Sequence, residues 1–146
     1  LKSYLKTILL FFLLSAVIFP QNYLSWYDNL DDGIQSAKAE GKKVLLFFTG
    51  SDWCGWCKKL TAEVFFQQEF VDYADYHLAL VRIDSPKWKY QSEEVKEYNY
   101  KLKQMFGVTG YPTVFLLDKS GKIIARTGYL EGGAGVYVKH LKSLLK

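Results

Sequence analysis

Val44-Leu45-Leu46-Phe47-Phe48-Thr49-Gly50-Ser51-Asp52-Trp53-Cys54-Gly55-Trp56-Cys57 holds both cysteines of this 146-residue chain. Val44 to Phe48 is a continuous apolar run, the pattern of a strand buried on both faces. Thr49 to Asp52 is turn chemistry, and a helix is expected to start at Cys54 and carry Leu60, Val64 and Phe65 inward. Two lone cysteines can be a structural disulfide, a reduced core pair, half of a metal site or a redox couple. Position favours the last. In the first turn of a helix, unpaired backbone N–H groups and the positive end of the dipole stabilise a thiolate, the species that attacks disulfides. Cys57, one turn on, is within reach to resolve the mixed disulfide that results.

The competing roles are weaker. A structural bridge across so short a loop gains little entropy. Zinc needs two further ligands, and His77 and His140, the only histidines, lie far from the pair at no recognisable spacing. Each histidine reads as an ordinary surface or helix residue. No metal and no cofactor is called for.

Outward from this centre the chain alternates helix and strand. Ser25 to Glu40 reads as a helix capped by Asp28 or Asp31 and ended by Gly41. After the cysteines, a short helix near Gln68 to Tyr76 leads into an apolar strand, Leu78 to Ile83, which Ser85-Pro86 breaks. Ser92 caps a helix to Phe106, with Glu93 and Glu94 at its positive end and Gly107 after it. Thr113 to Leu117 and Lys122 to Thr127 make a hairpin around Asp118-Lys119-Ser120-Gly121. Val136 to Leu145 closes the chain as an amphipathic helix, with Val136, Leu141 and Leu144 or Leu145 on one side. The fold class is α/β: parallel strands with helical crossovers, plus an antiparallel strand from the hairpin.

The first twenty residues stand apart. Lys2 and Lys6 are the only charges before Asp28, and Ile8 to Phe19 is apolar apart from Ser15. A basic start before such a run is the pattern of a secretory signal, and the run is shorter than the roughly 20 residues of a membrane span. Residues 1–20 are therefore read as a signal peptide or a retained membrane anchor, and 24–146 as one domain. Export to the periplasm or another extracytoplasmic compartment follows. The net charge of +4 falls to +2 without Lys2 and Lys6, too little and too evenly spread to argue for nucleic acid. Lys87-Trp88-Lys89-Tyr90 interleaves aromatic and basic residues but reads as a solvated loop.

Trp53-Cys54-Gly55-Trp56-Cys57-Lys58 after an apolar strand resembles the active-site motif of thioredoxin-fold proteins. Gly107-Val108-Thr109-Gly110-Tyr111-Pro112-Thr113, ahead of a strand, is similar to the segment where that family places a cis-proline. Phe48 to Trp53, with Glu63-Val64-Phe65 downstream, is similar to exported bacterial thioredoxin-like proteins related to the C-terminal domain of the membrane disulfide reductase. The resemblance covers roughly Trp26 to Lys146. It implies a thioredoxin fold, a central mixed sheet flanked by helices. It also implies Cys54 as exposed nucleophile, Cys57 as resolving thiol, and a cis bond at Pro112 facing the pair. Tyr111 would offer backbone groups to an extended substrate, and Trp53 and Trp56 would flank the nucleophile as an apolar docking surface.

Two departures matter. Thioredoxin has proline where this chain has Trp56, so its potential does not transfer. Thioredoxin also has a buried acid in the preceding strand, where this chain has Phe47 and Phe48. Asp52 and Glu63, the nearest acids in sequence, read as solvated surface residues. The expected activity is thiol–disulfide exchange with protein substrates, as a reductase fed by a membrane electron donor. A net oxidase or isomerase and a chaperone-like binding module are the alternatives.

Overall fold

The computed structural model describes residues 24–146, so the expectation for residues 1–20 lies outside the described residues. Five strands form one sheet in the order β1-β3-β2-β4-β5. They are β1 (Trp26–Tyr27), β2 (Lys43–Thr49), β3 (Leu78–Asp84), β4 (Thr113–Leu117) and β5 (Ile123–Thr127). β3 runs parallel to β1 and β2, while β4 is antiparallel to β2 and to β5. The helices are α1 (Leu30–Glu40), α2 (Gly55–Leu60), α3 (Gln68–His77), α4 (Glu93–Met105) and α5 (Gly133–Leu144). α2 continues as a π-helical turn, Thr61–Phe65. Among the described residues no helix is long and apolar enough to cross a membrane.

Both faces of β2 are buried, as its unbroken apolar run requires. One face, with Leu45 and Phe47, packs under α2, α3 and α5; the other, with Val44, Leu46 and Phe48, packs under α1 and α4. Phe47 meets Trp26 and Phe65 at centroid distances of 6.0 and 5.1 Å. Burying each such side chain contributes about 1.5–3 kcal/mol.

Three expectations need correction. The first helix begins at Leu30, because Asn29, not Asp28 or Asp31, caps it, its Oδ1 accepting from the Asp31 and Asp32 N–H groups at 2.8 and 3.3 Å. Trp26 and Tyr27, read as helix, instead form the edge strand, because the indole of Trp26 fills the core beside Phe47 and Phe65. The last helix begins at Gly133 and buries Tyr137, Val138 and Leu141, leaving Val136 exposed. Gly41 does end α1, in the left-handed conformation at φ 70° that glycine adopts without strain.

Candidate active site at the C-terminal end of the central strand

The sheet register assembles the site. Phe48 of β2 pairs with Thr113 of β4, and Thr49 pairs with Asp84 of β3. The turn leaving β2, the loop leaving β3 and the segment entering β4 therefore meet at one edge of the sheet. Those three stretches carry Trp53 to Cys57, Ser85 to Gln91, and Tyr111-Pro112.

Cys54 is the N-cap of α2 and is disulfide-bonded to Cys57. Its Sγ accepts a hydrogen bond from the Cys57 N–H at 3.2 Å, so an otherwise unpaired donor of the helix start points at this sulfur. The same donor is in place for a thiolate when the bond is open. The pair is not openly exposed: Cys54 keeps 6% of its surface and Cys57 1%. Beneath them lie Phe47, Leu60, Val64 and Val114, all apolar. Among the described residues no three His, Cys, Asp or Glu side chains gather as a metal site. His140 bonds Thr127 Oγ1 at 2.9 Å, and the ring of His77 lies against Tyr73.

The Tyr111–Pro112 peptide bond is cis. Tyr111 stands edge-on to Trp53, ring centroids 5.7 Å apart. Trp53 Nε1 donates to the Ser85 carbonyl at 2.8 Å, and Tyr111 Oη donates to Ser85 Oγ at 3.0 Å. Trp53 also lies so close to Gly50 that a Cβ there would collide with the indole. Trp53 and Tyr111 are thus locked together, half-buried. Trp56 is different: it is 58% exposed, its ring 5.2 Å from Tyr129.

Several residues of the site have no sequence motif. Ser51 gives its N–H and hydroxyl to the two oxygens of Asp84, at 2.8 and 2.5 Å, tying the cysteine turn to the end of β3. Ser85 links Trp53 and Tyr111; the only sequence hint is its position just after a strand parallel to β2. Asp52, read as a solvated acid, accepts from the backbone N–H groups of Lys87, Trp88 and Lys89 at 2.8–3.0 Å. Burial works to raise its carboxyl, but these three donors outweigh it and hold Asp52 below the ordinary aspartate range. Glu63 is likewise engaged, accepting from Tyr129 Oη at 2.6 Å. That hydrogen bond, with burial, pushes the Tyr129 phenol up. Hydrogen bonding with Tyr129 holds the Lys59 ammonium above its ordinary value, against the smaller effect of burial.

A thioredoxin-like domain family matches residues 30–141. The chain is 39% identical over 123 residues to the disulfide bond reductase DsbH of Chlamydia pneumoniae, across 84% of this chain and 74% of that protein. It is 30% identical over 96 residues to the thiol:disulfide interchange protein DsbD of Actinobacillus pleuropneumoniae, across 64% of this chain but only 15% of that much longer protein. A solved structure of a DsbH oxidoreductase superposes with a TM-score of 0.76 at 38% identity, covering 82% of this chain and 83% of the other. With a helix-capping Cys54 bonded to Cys57 on this frame, the chain belongs to the thioredoxin-like family and is a thiol–disulfide oxidoreductase with a CXXC pair.

Proposed function

We propose that the protein reduces disulfides of protein clients outside the cytoplasm, with Cys54 as nucleophile and Cys57 as resolving thiol. In the reduced form the Cys54 thiolate attacks one sulfur of a client disulfide, forming a mixed disulfide and releasing one client thiolate. The Cys57 thiolate then attacks Cys54 Sγ, which releases the second client thiolate and leaves the Cys54–Cys57 bond. Two electrons have passed to the client. A donor dithiol, which in an oxidising compartment has to be fed from a membrane partner, restores the pair by the same exchange. Trp53 and Trp56 supply apolar surface on either side of the nucleophile. The Tyr111 backbone, before Pro112, pairs with an extended client segment in strand fashion.

The observation that carries the reductive direction is that Lys58 and Lys59, the cations nearest Cys54 in sequence, are committed elsewhere. Lys58 donates to the Asp52 carbonyl at 2.8 Å, and Lys59 lies at Glu63 and over the Trp56 and Tyr129 rings. Strong oxidants owe their potential to a stabilised reduced form, and neither of these two lysines gives its charge to one. The likeness to a disulfide bond reductase supports the same direction. The extracytoplasmic setting rests on the basic start and apolar run of residues 1–20.

Equilibration with a dithiothreitol or glutathione series tests the direction. The expected potential lies well below the value of about −180 mV for protein disulfide isomerase. A value near the roughly −120 mV of a strong oxidant would reverse the direction while leaving the exchange chemistry in place.

A further inference from the structure

Beside the redox pair, on the side of Trp53, a groove of about 790 Å³ runs between α4, the loop after β3 and the segment leading to Pro112. We propose that this groove docks an extended, acidic stretch of the client polypeptide that flanks the reacting cysteine. The proposal rests on the reading that clients are proteins, and it names a chemical preference among them.

The groove is positively charged. Lys87, Lys96 and Lys103 line the groove, and no carboxylate does. The acids nearby are engaged: Glu93 pairs with Lys96 at 2.7 Å, Glu97 with Lys101 at 2.6 Å, and Asp52 with three backbone N–H groups. Lys87 and Lys103 have no ion-pair partner among the described residues. Their ammonium groups lie over aromatic rings instead, Lys87 Nζ 4.3 Å from the Trp53 centroid and Lys103 Nζ 5.2 Å from that of Tyr111. Both rings belong to residues adjacent in sequence to Cys54 or Pro112. An arriving carboxylate would meet these cations where the groove approaches the reacting sulfur.

The wall of the groove also holds an unmatched acceptor. Asn99, 5% exposed, lines the groove. Its Nδ2 donates to the Asp84 carbonyl at 2.8 Å, which fixes the orientation of the amide and leaves Oδ1 buried with no donor among the described residues. Buried polar atoms are seldom left so.

The loop that supplies Lys87 is fixed in place. Asp52, two residues before Cys54, pins the backbone of Lys87, Trp88 and Lys89, so the loop that supplies Lys87 is held against the redox turn. Tyr100, which lines the groove and is 61% exposed, is an aromatic face for the apolar parts of a bound segment. Alternating aromatic and basic residues also suit single-stranded nucleic acid. A peptide is favoured because the groove starts at the residue before Cys54, where a polypeptide crossing the site has to pass.

The test uses the reduced protein and synthetic peptides, each with one cysteine held as a mixed disulfide with thionitrobenzoate. The cysteine is flanked on one side or the other by Asp and Glu, by Ser and Gly, or by Lys and Arg. Release of thionitrobenzoate is followed by stopped flow, and each rate is divided by that of the same peptide with dithiothreitol, which removes intrinsic reactivity. At low salt the acidic peptide is expected to react about fivefold or more faster than the neutral one, with the basic peptide slowest, and the spread should shrink in high salt. Lys87→Glu combined with Lys103→Glu should invert the order of acidic and basic peptides, read as a ratio within that one folded protein. Equal normalised rates for all three would overturn the groove proposal and leave protein reduction standing. Failure of every peptide to react would instead remove the protein-client reading. A single-stranded oligonucleotide that inhibits more strongly than a cysteine-free acidic peptide would assign the groove to nucleic acid and overturn the proposal.

Discussion

The ring of Trp53 stands at 83° to that of Tyr111 with centroids 5.7 Å apart, so the residue before the helix-capping Cys54 touches the residue before the cis-proline. They are 58 positions apart in sequence. Ser85 bonds to both, which makes the contact a fixed part of the frame rather than a loose surface pair. An edge-on aromatic pair of this kind contributes about 0.5–1.5 kcal/mol beyond the area it buries.

Gly50 sets the position of that pair. Gly50→Ala places a methyl group inside the Trp53 indole as it now stands. Either the indole moves and loses its bond to the Ser85 carbonyl, or the turn shifts with Cys54 attached. Overpacking of this sort costs about 1–3 kcal/mol. The expected outcome is a protein that folds with a lower denaturation midpoint and exchanges disulfides more slowly; thermal melts and an insulin-reduction assay on the same sample check both.

The division of labour between the cysteines is directly testable. Cys54→Ser should reduce exchange to the rate seen without protein. Cys57→Ser should still attack, and should accumulate mixed disulfides with its clients because nothing resolves them. Mass spectrometry of the trapped species identifies the clients. Trapping by Cys54→Ser instead of Cys57→Ser would reverse the two roles.

Asp52 predicts a pH dependence. Its folded-state carboxyl titrates below the ordinary aspartate value, so between the two values the unfolded chain binds more protons than the folded one. The stability it contributes is complete above about pH 4 and is lost as pH falls through the folded value. Asp52→Asn should therefore be less stable than the parent at neutral pH, with the difference closing in acid. Faster hydrogen exchange at the Lys87, Trp88 and Lys89 amides should accompany it. A stability difference that stays constant from neutral pH into acid would exclude the carboxylate as the cause.

Tyr137 makes the opposite prediction at the alkaline end. It is fully buried in the core, its hydroxyl donates to the Gly128 carbonyl at 3.1 Å, and burial pushes its phenol far up. Above about pH 10 the unfolded tyrosine loses its proton while the folded one keeps it, so stability falls as pH rises. Tyr137→Phe should cost about 1 kcal/mol at neutral pH and flatten part of that alkaline loss. Tyr137→Ala should cost about 3–5 kcal/mol through the cavity it leaves. Urea melts at several pH values measure all three effects.

Much of this protein could be read from local pattern. The buried β2, the turn, the cysteine pair at a helix start, the cap at Ser92 and the β4–β5 hairpin depend on neighbours in the chain, and propensity and periodicity report those neighbours. The edge strand Trp26–Tyr27 was hidden because its indole is drawn into a core built by Phe47 and Phe65, which no local window contains. Asp52 and Glu63 were hidden for a related reason. An acid looks solvated in sequence, and the hydrogen-bond donors that engage these two lie 35 or more positions away.

By itself, then, the sequence determined the α/β alternation and the chemistry available at Cys54 and Cys57, because a strand, a turn and a helix start are local events. Only the tertiary structure decided what surrounds that chemistry. The register of β2 with β3 and β4 carries Ser85, Tyr111 and Pro112 to the cysteine edge. It also turns Asp52 into the anchor of a basic, aromatic loop. Such long-range pairings follow from how strands align in a sheet, and hydrogen bonds across the sheet leave no periodic mark along the chain.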